Sequence, residues 1–482
     1  MSSQPLVKTG PDGHDKLSAV EEIAAFSLAA RPKHLSTDLR QLYKRNILDS
    51  IACAIAALNG PPFARLRDQF DEYRASGTCT LIGGDKTSPD QAALYNSGLT
   101  RYVDLLDSYM VNGGLAHPAD NFGTILAAAE HAEATGEEFM LALAVSYEIE
   151  CRFTAAVPVM AKGLNHAIQL AMSTAAGCGK LFDLTAEQLS NAISIATSDN
   201  ISLACIHTEP VAQWKGFSPG WTGMRAIYAA SMAKRGFTGP LHLFEGPKGL
   251  NQLFDQEIEI DWKDTSLAII KQTVLKKYCS LIHGQPVIEA ALAVRRSNDL
   301  RAEDIDHVVC ETFQAGYDFA GGGSYGTKDH PWHKEQGDYN LKYLISTALL
   351  HGEVGPAQLT DEMVHASLSQ DMVARVQCYP DATFTEKFPE QLGARITVRT
   401  KDGRSLKAEH FGYEGGLDNP MTWDRVVKKF HWLSEAYADQ ELRDRIIAAV
   451  QHIDTQPIST LMNLLAQVSP APKYKTTLSG LD

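Results

Sequence analysis

Apolar residues recur at helical spacing along most of the first 240 positions. Ala19, Ile23, Ala24 and Phe26 open the pattern, and Leu42, Ile47, Leu48, Ile51 and Ile55 continue it at three- and four-residue steps. The run from Ile47 to Leu58 is small and apolar on every side, which predicts a buried helix, stopped by Pro61-Pro62. Residues 91–102, 126–135 and 138–153 keep the same period, with Gly136 as a C-cap after the second of them. Thr185-Ala-Glu-Gln188 is a capping box ahead of the stripe Leu189, Ala192, Ile193 and Ala196, and Met224–Lys234 is a further helix closed by Gly236. Residues 1–16 read as a disordered lead-in and the tail at Ser469-Pro-Ala-Pro472 as loose.

The pattern changes after about residue 270. His307–Phe313 alternates like a strand, and Arg395–Glu409 reads as a hairpin turning at Asp402-Gly403. A glycine loop from Gly321 and a helix over Leu341–His351 lie between them, and helices resume from Thr422 to Val468. This order predicts a mainly α fold. A large all-α domain takes both chain ends, residues 1–270 and 412–482, and an α+β domain is inserted over 271–411.

The formal net charge of −14 argues against nonspecific binding to nucleic acid or an anionic membrane. No stretch approaches eighteen consecutive apolar residues, so no membrane span is expected. Eight scattered cysteines without a CxxC fit neither a disulfide framework nor a zinc ribbon. The polar N-terminus has no signal-peptide core. Together these read as a cytoplasmic protein with reduced thiols.

Chemistry-bearing residues concentrate between Val103 and Phe122. Asp104, Asp107, His117 and Asp120 share a short segment broken by Gly113, Gly114 and Pro118, just before a helix. Acids with a histidine at such a junction suit acid/base work or a metal; they suit loop capping equally. Gly163-Leu-Asn-His166 presents a second histidine at a helix start, where Asn165 also suits a plain N-cap. Residues 213–225 are rich in Gly, Trp and Pro, read as a loop, and carry Lys215 and Arg225, a natural carboxylate clamp or simply solvated cations. Lys276-Lys-Tyr-Cys-Ser-Leu-Ile-His283 places cations where the two domains should meet, either at a cleft or along a charged hinge. The Gly321 loop lacks the spacing of a phosphate loop, and His330-Pro-Trp-His333 is a weak metal motif without nearby acids.

In order along the chain, these segments resemble the MmgE/PrpD family. The resemblance spans about residues 18–465 and begins with Ile47-Leu-Asp-Ser-Ile-Ala-Cys. It is sharpest at Asp104-Leu-Leu-Asp-Ser108 followed by His117-Pro-Ala-Asp-Asn121, which is similar to the family's Asp-Tyr-x-Asp-Thr and His-Pro-Ser-Asp-Asn. Gly163-Leu-Asn-His166 resembles the Gly-Leu-Asp-His of the methylcitrate dehydratase branch. Lys215, Arg225 and Lys276 stand where the family keeps active-site cations, and Tyr317 is the counterpart of a family tyrosine. The sequence departs from the family at Ser108 (a Thr there), at Gly220-Trp-Thr-Gly-Met-Arg225 (Gly-Asp-Ala-x-Ser-Arg in the dehydratases) and at Cys279 (a Pro).

The resemblance implies an α+β lid over the helical domain, a homodimer, and a site between the domains that uses neither metal nor other cofactor. It implies a lyase for a small di- or tricarboxylate, foremost a 2-methylcitrate dehydratase. Alternatives on the same scaffold are decarboxylation of cis-aconitate, epimerisation of a related acid, or carboxylate binding without catalysis. His117 and His166 would exchange protons with the substrate, and Asp104 would orient a histidine or act as the base. Ser108, Lys215, Arg225, Lys276 and Tyr317 would bind the substrate. Removing a proton next to a carboxylate builds negative charge there, which explains the need for fixed cations.

Overall fold

The computed structural model describes residues 17–74, 76–298, 300–478 and 480–481, so the expected lead-in of residues 1–16 lies outside the described residues. With 56% of the chain helical and 10% in strands, the protein is mainly α.

Ser36 caps the first long helix, α1 (Thr37–Ala56), by accepting from the Leu39 amide at 3.3 Å. Every residue from Tyr43 to Ile55 is buried. Fully burying each of Ile47, Ile51 and Ile55 contributes about 1.5–3 kcal/mol. The polar residues of this stretch have partners: Asp49 pairs with Lys429 at 2.6 Å, and Ser50 Oγ donates to Asn46 O at 2.8 Å. Pro61 and Pro62 lie beyond the end of α1 and begin the next helix, Pro61–Glu72, where a missing N–H costs nothing.

The helices around the site are α2 (Pro89–Tyr102), α3 (Phe122–His131), α4 (Gly136–Ala156), α5 (Ala167–Leu181), α6 (Ala186–Ser198) and α7 (Trp214–Ala233). Helix α2 lies against α3 and α7, and α5 lies against α4, α6 and α7. The capping box at Thr185 and Gln188 forms as the sequence indicates. Gly136 opens α4 instead of closing the helix before it, because Thr135 and Glu138 make a capping box across it. Helix α3 ends earlier, and Glu133 takes the left-handed turn at φ 52°.

The window 213–225 is not a loop. Almost all of it is the first half of α7, continuous through Pro219. Its glycines are there for close packing: a Cβ on Gly220 would stand 2.5 Å from Leu94 O, and one on Gly223 1.9 Å from Thr124 Oγ1. Helix α7 packs between α2 and α5, and that contact holds it through the backbone bond that Pro219 forfeits.

The strands fall mainly into two sheets. A three-stranded antiparallel sheet runs β2–β1–β3, from β1 (Ser108–Val111), β2 (Gly114–Ala116) and β3 (Thr273–Val274). A four-stranded sheet runs β5–β4–β6–β7, from β4 (Ile305–Thr312), β5 (Val376–Pro380), β6 (Gly393–Thr400) and β7 (Ser405–Phe411). Strand β4 is parallel to β5 and antiparallel to β6. The β6–β7 hairpin turns at Asp402-Gly403, with Gly403 at φ 88°. Helix α8 (Gln285–Asn298) lies across β6 and β7, and α9 (Leu341–His351) lies beside α8 and β5. Val287, Ile288, Leu292, Ile345 and Leu349 thereby form one apolar cluster with Val308, Ile396 and Val398. A larger cluster joins residues from Val20 to Cys279 with Tyr343, Leu359, Val364 and Val373 and with residues from Met421 to Leu481.

Helix α10 (Trp423–Ser434), capped by Thr422, packs on α1. The tail beyond it is not loose. The amides of Lys473 and Tyr474 donate to Ala436 O, and Thr477 and Leu478 donate to the Glu435 carboxylate.

Candidate active site

Helix α2 stops at Tyr102, and two residues later Asp104 turns the chain through the left-handed region at φ 50°, its amide bonded to Arg101 O at 3.0 Å. The chain then enters the β1–β2 hairpin, where Asn112-Gly113 makes a two-residue turn with Gly113 at φ 77°. Pairing Tyr109 with Ala116 sets Ser108 opposite His117. Ser108 Oγ and His117 Nδ1 are 3.1 Å apart, and the same nitrogen is 2.8 Å from Asp107 O. A carbonyl only accepts, so Nδ1 carries the ring proton and Nε2 keeps a lone pair.

Directly after His117, the 3₁₀ turn Pro118–Asn121 delivers Asp120. Asp120 Oδ2 accepts from Arg101 Nη1 at 3.1 Å and from His166 Nε2 at 3.2 Å. His166 stands at the start of α5, where Asn165 caps the Ala167 amide at 2.8 Å, so this pair serves both as cap and as part of the cluster. The His117 and His166 rings meet edge to face at 5.4 Å.

Strand β3 pairs with β1, Val274 opposite Ser108, and so carries Lys276 to the same place. Lys276 Nζ lies 2.6 Å from Asp104 Oδ1, and Lys215 Nζ, in the first turn of α7, lies 3.1 Å from Asp104 Oδ2. Lys215 also pairs with Asp338 at 2.6 Å and covers the Tyr339 ring at 4.0 Å. Asp338 in turn holds Lys334 at 2.7 Å, and Lys334 donates to Tyr102 O. A cleft of about 510 Å³, lined by Tyr102, Val103, Cys279 and Lys334, brings open space up to that lysine.

Asp104, His117, His166, Lys215 and Lys276 are at most 8% exposed, so their charges act on one another with little screening by solvent. Burial opposes ionisation of Asp104, but Lys215, Lys276 and Arg101 prevail and hold its carboxyl well below the usual range. Burial, reinforced by Arg101 and Lys276, pushes His117 well below the ordinary imidazole value. Burial lowers His166 as well, against the bond from Asp120, which favours its protonated form. Asp107 behaves differently. Burial raises its carboxyl to about 7, although it accepts from the Ala119 amide at 2.9 Å and the Tyr147 hydroxyl at 2.8 Å.

Two residues singled out in the sequence lie elsewhere. Arg225, further along α7, donates to Asn200 Oδ1 at 3.1 Å and to Asp199 O, and its hydrogen bonds do not reach the Asp104 cluster. Tyr317 is half-buried against the apolar cluster of the four-stranded sheet. In their place the cluster contains Arg101, Asp338, Lys334, Tyr339 and His207. Arg101 was the most readable of these, being a lone cation inside the small and apolar run Asn96-Ser-Gly-Leu-Thr-Arg-Tyr-Val103. The others come from segments with no periodic signal of their own. Among the described residues, no group of three or more His, Cys, Asp or Glu side chains is placed to hold a metal ion. His333 instead faces Asp361 at the surface, at 3.4 Å.

Two family models account for most of the chain: the MmgE/PrpD N-terminal domain matches residues 21–263 and the MmgE/PrpD C-terminal domain residues 278–455. The chain is 22% identical to the cis-aconitate decarboxylase-like protein oryM of Aspergillus oryzae, over 96% of this chain and 99% of that protein. It is 24% identical to the 2-methylcitrate dehydratase of Escherichia coli K12, over 74% of this chain and 77% of that enzyme. It is 22% identical to the cis-aconitate decarboxylase of Aspergillus terreus strain NIH 2624, over 95% of this chain and 98% of that enzyme.

Proposed function

Because the chain belongs to the MmgE/PrpD family, we propose that it is a lyase that eliminates water from a small tricarboxylate, 2-methylcitrate or a close analogue. The observation that carries this reading is the convergence of Lys215 and Lys276 on Asp104 beside the His117–His166 pair. Neutral His117, with Nε2 unprotonated, takes a proton from the carbon next to a substrate carboxylate. The electron pair released forms the alkene as the carbon–oxygen bond breaks. His166 enters this step as the imidazolium, the form that Asp120 favours against burial, and gives its proton to the departing hydroxide, so that water leaves and His166 is left neutral. Asp104 is a poor base because two lysines stabilise its charged form. Its role is to hold both ammonium groups where charge develops on the substrate carboxylate. Ser108 positions His117.

In this reading residues 1–270 and 412–482 form the helical domain and residues 271–411 the lid, with the site between them. The protein acts as a cytoplasmic homodimer without a metal, and turnover survives thorough chelation.

Decarboxylation of cis-aconitate is the second reading. It is favoured by one observation: the decarboxylase-named relatives align over nearly the whole chain, the dehydratases over about three quarters. Incubation with 2-methylcitrate stereoisomers, citrate and cis-aconitate separates the two, with alkene absorbance and carbon dioxide followed together. Alkene from methylcitrate without carbon dioxide supports the dehydratase. Carbon dioxide from cis-aconitate replaces it with the decarboxylase, and silence on every substrate refutes both.

A further inference from the structure

Arg101, Asp120, His166, His207, Tyr339, Lys215 and Asp104 form a closed ring of contacts. Arg101 bonds Asp120, which bonds His166. The His166 ring stacks at 6.4 Å on His207, and His207 stacks at 5.6 Å on Tyr339. Lys215 covers Tyr339 and pairs with Asp104, whose amide closes the ring on Arg101 O. Four buried polar atoms on this ring have no hydrogen-bond partner among the described residues: Arg101 Nε, Arg101 Nη2, Asp120 Oδ1 and His207 Nδ1.

Their arrangement on each side chain is informative. Nε and Nη2 make up one edge of the guanidinium, the edge that meets both oxygens of a carboxylate side-on. Arg101 uses only Nη1 for Asp120, so this whole bidentate edge is unspent, on a side chain 1% exposed. Asp120 spends Oδ2 on two donors, and Oδ1 remains as an acceptor. Leaving such atoms buried without partners is costly, so a ligand that satisfies several of them at once is favoured.

We propose that Arg101 and Asp120 form a substrate subsite in which the Nε–Nη2 edge of Arg101 receives a carboxylate and Asp120 Oδ1 accepts a hydroxyl, so that the site reads a hydroxylated polycarboxylate. The inference rests on the proposed lyase reading and adds to it the residue that recognises the carboxylate beyond those met by Lys215 and Lys276.

Calorimetric titration of the whole protein with citrate, propane-1,2,3-tricarboxylate and succinate tests it. The wild type should bind citrate about tenfold more tightly than propane-1,2,3-tricarboxylate, which lacks the hydroxyl. Arg101→Lys keeps a charge but loses the fork, and should weaken both tricarboxylates about tenfold or more while changing succinate by less than about threefold. A loss shared equally by all three ligands would mean that Arg101 only props up Asp120 and His166, and overturns the proposal. So does unchanged tricarboxylate binding. If the wild type binds none of the three, the lyase reading itself falls. Should Arg101→Lys not fold by circular dichroism, Asp120→Asn reads the same subsite. The citrate preference should then collapse towards unity, and an unaltered preference overturns the subsite.

Discussion

His283 offers a quantitative test of how the interior of this protein handles charge. It is 4% exposed and surrounded by aromatic rings, stacked on Phe319 at 5.3 Å with Phe313 and Phe388 at 5.5 and 6.0 Å. Its Nδ1 has no partner among the described residues. Burial, with Lys276 adding to it, lowers the imidazole to about 4, against about 6.5 in an unfolded chain. The unfolded state therefore binds a proton that the folded state refuses. The contribution to stability is whole above about pH 6.5 and is lost as pH falls towards 4. Between pH 7.5 and 5.0 the loss comes to about 2 kcal/mol, at 1.36 kcal/mol per unit. His283→Phe places an apolar ring among apolar rings and removes this term. Urea unfolding followed by tryptophan fluorescence at both pH values should show the wild type losing about 2 kcal/mol more than the variant, with matching m-values. The other buried histidines act equally on both proteins, so the difference isolates His283. Parallel pH slopes for the two proteins would refute the reasoning.

Three further outcomes follow from the geometry. His117→Ala should keep its circular dichroism spectrum and lose about 10²–10⁴-fold in rate on the substrate found by the alkene assay, whereas near-full activity would remove His117 from the chemistry. Gly223→Ala should destabilise by about 1–3 kcal/mol in denaturant titration, because the added methyl meets Thr124 Oγ1 at 1.9 Å; the gain of about 1 kcal/mol expected of an unconstrained helical site would contradict the packing described. Asp107 runs opposite to the histidines. Its raised carboxyl binds a proton more tightly when folded, so its contribution is whole below about pH 4 and lost as pH rises through about 7. Going from pH 5 to pH 8, Asp107→Asn should therefore change its melting temperature more favourably than the wild type does, and identical changes in the two proteins would count against the raised pKa.

Much of the fold was legible because its signals are local. The capping box at Thr185, the turn at Asp402-Gly403 and the helix Leu341–His351 each depend on residues within a few positions of one another. Long-range packing decided the rest. Glycine and proline in residues 213–225 suggested a loop because turns use them, but here the glycines let α7 approach Leu94 and Thr124. The Asp104, Ser108 and His117 constellation could be read because one hairpin holds it together. Arg101 pairs with a residue nineteen positions away, and Asp338 with one 123 positions away. No periodicity announces such pairs. Arg225 was a reasonable candidate on residue type, but it faces Asn200 from further along the same helix that carries Lys215.

The Lys429 side chain has a consequence for how the protein comes into being. From helix α10 it donates to Leu105 O at 3.0 Å and to Lys276 O at 2.8 Å while pairing with Asp49. A single ammonium thus ties together the backbone next to Asp104 and the backbone of Lys276, from a position 153 residues beyond the latter. Synthesis runs from the N-terminus, so Asp104, His117, Lys215 and Lys276 emerge before the ammonium that bridges the Asp104 and Lys276 segments. A nascent chain halted before residue 423 carries every residue proposed for the chemistry and still lacks this bridge. The Asp104 and Lys276 segments gain this tie only once a residue 153 positions beyond Lys276 has been made.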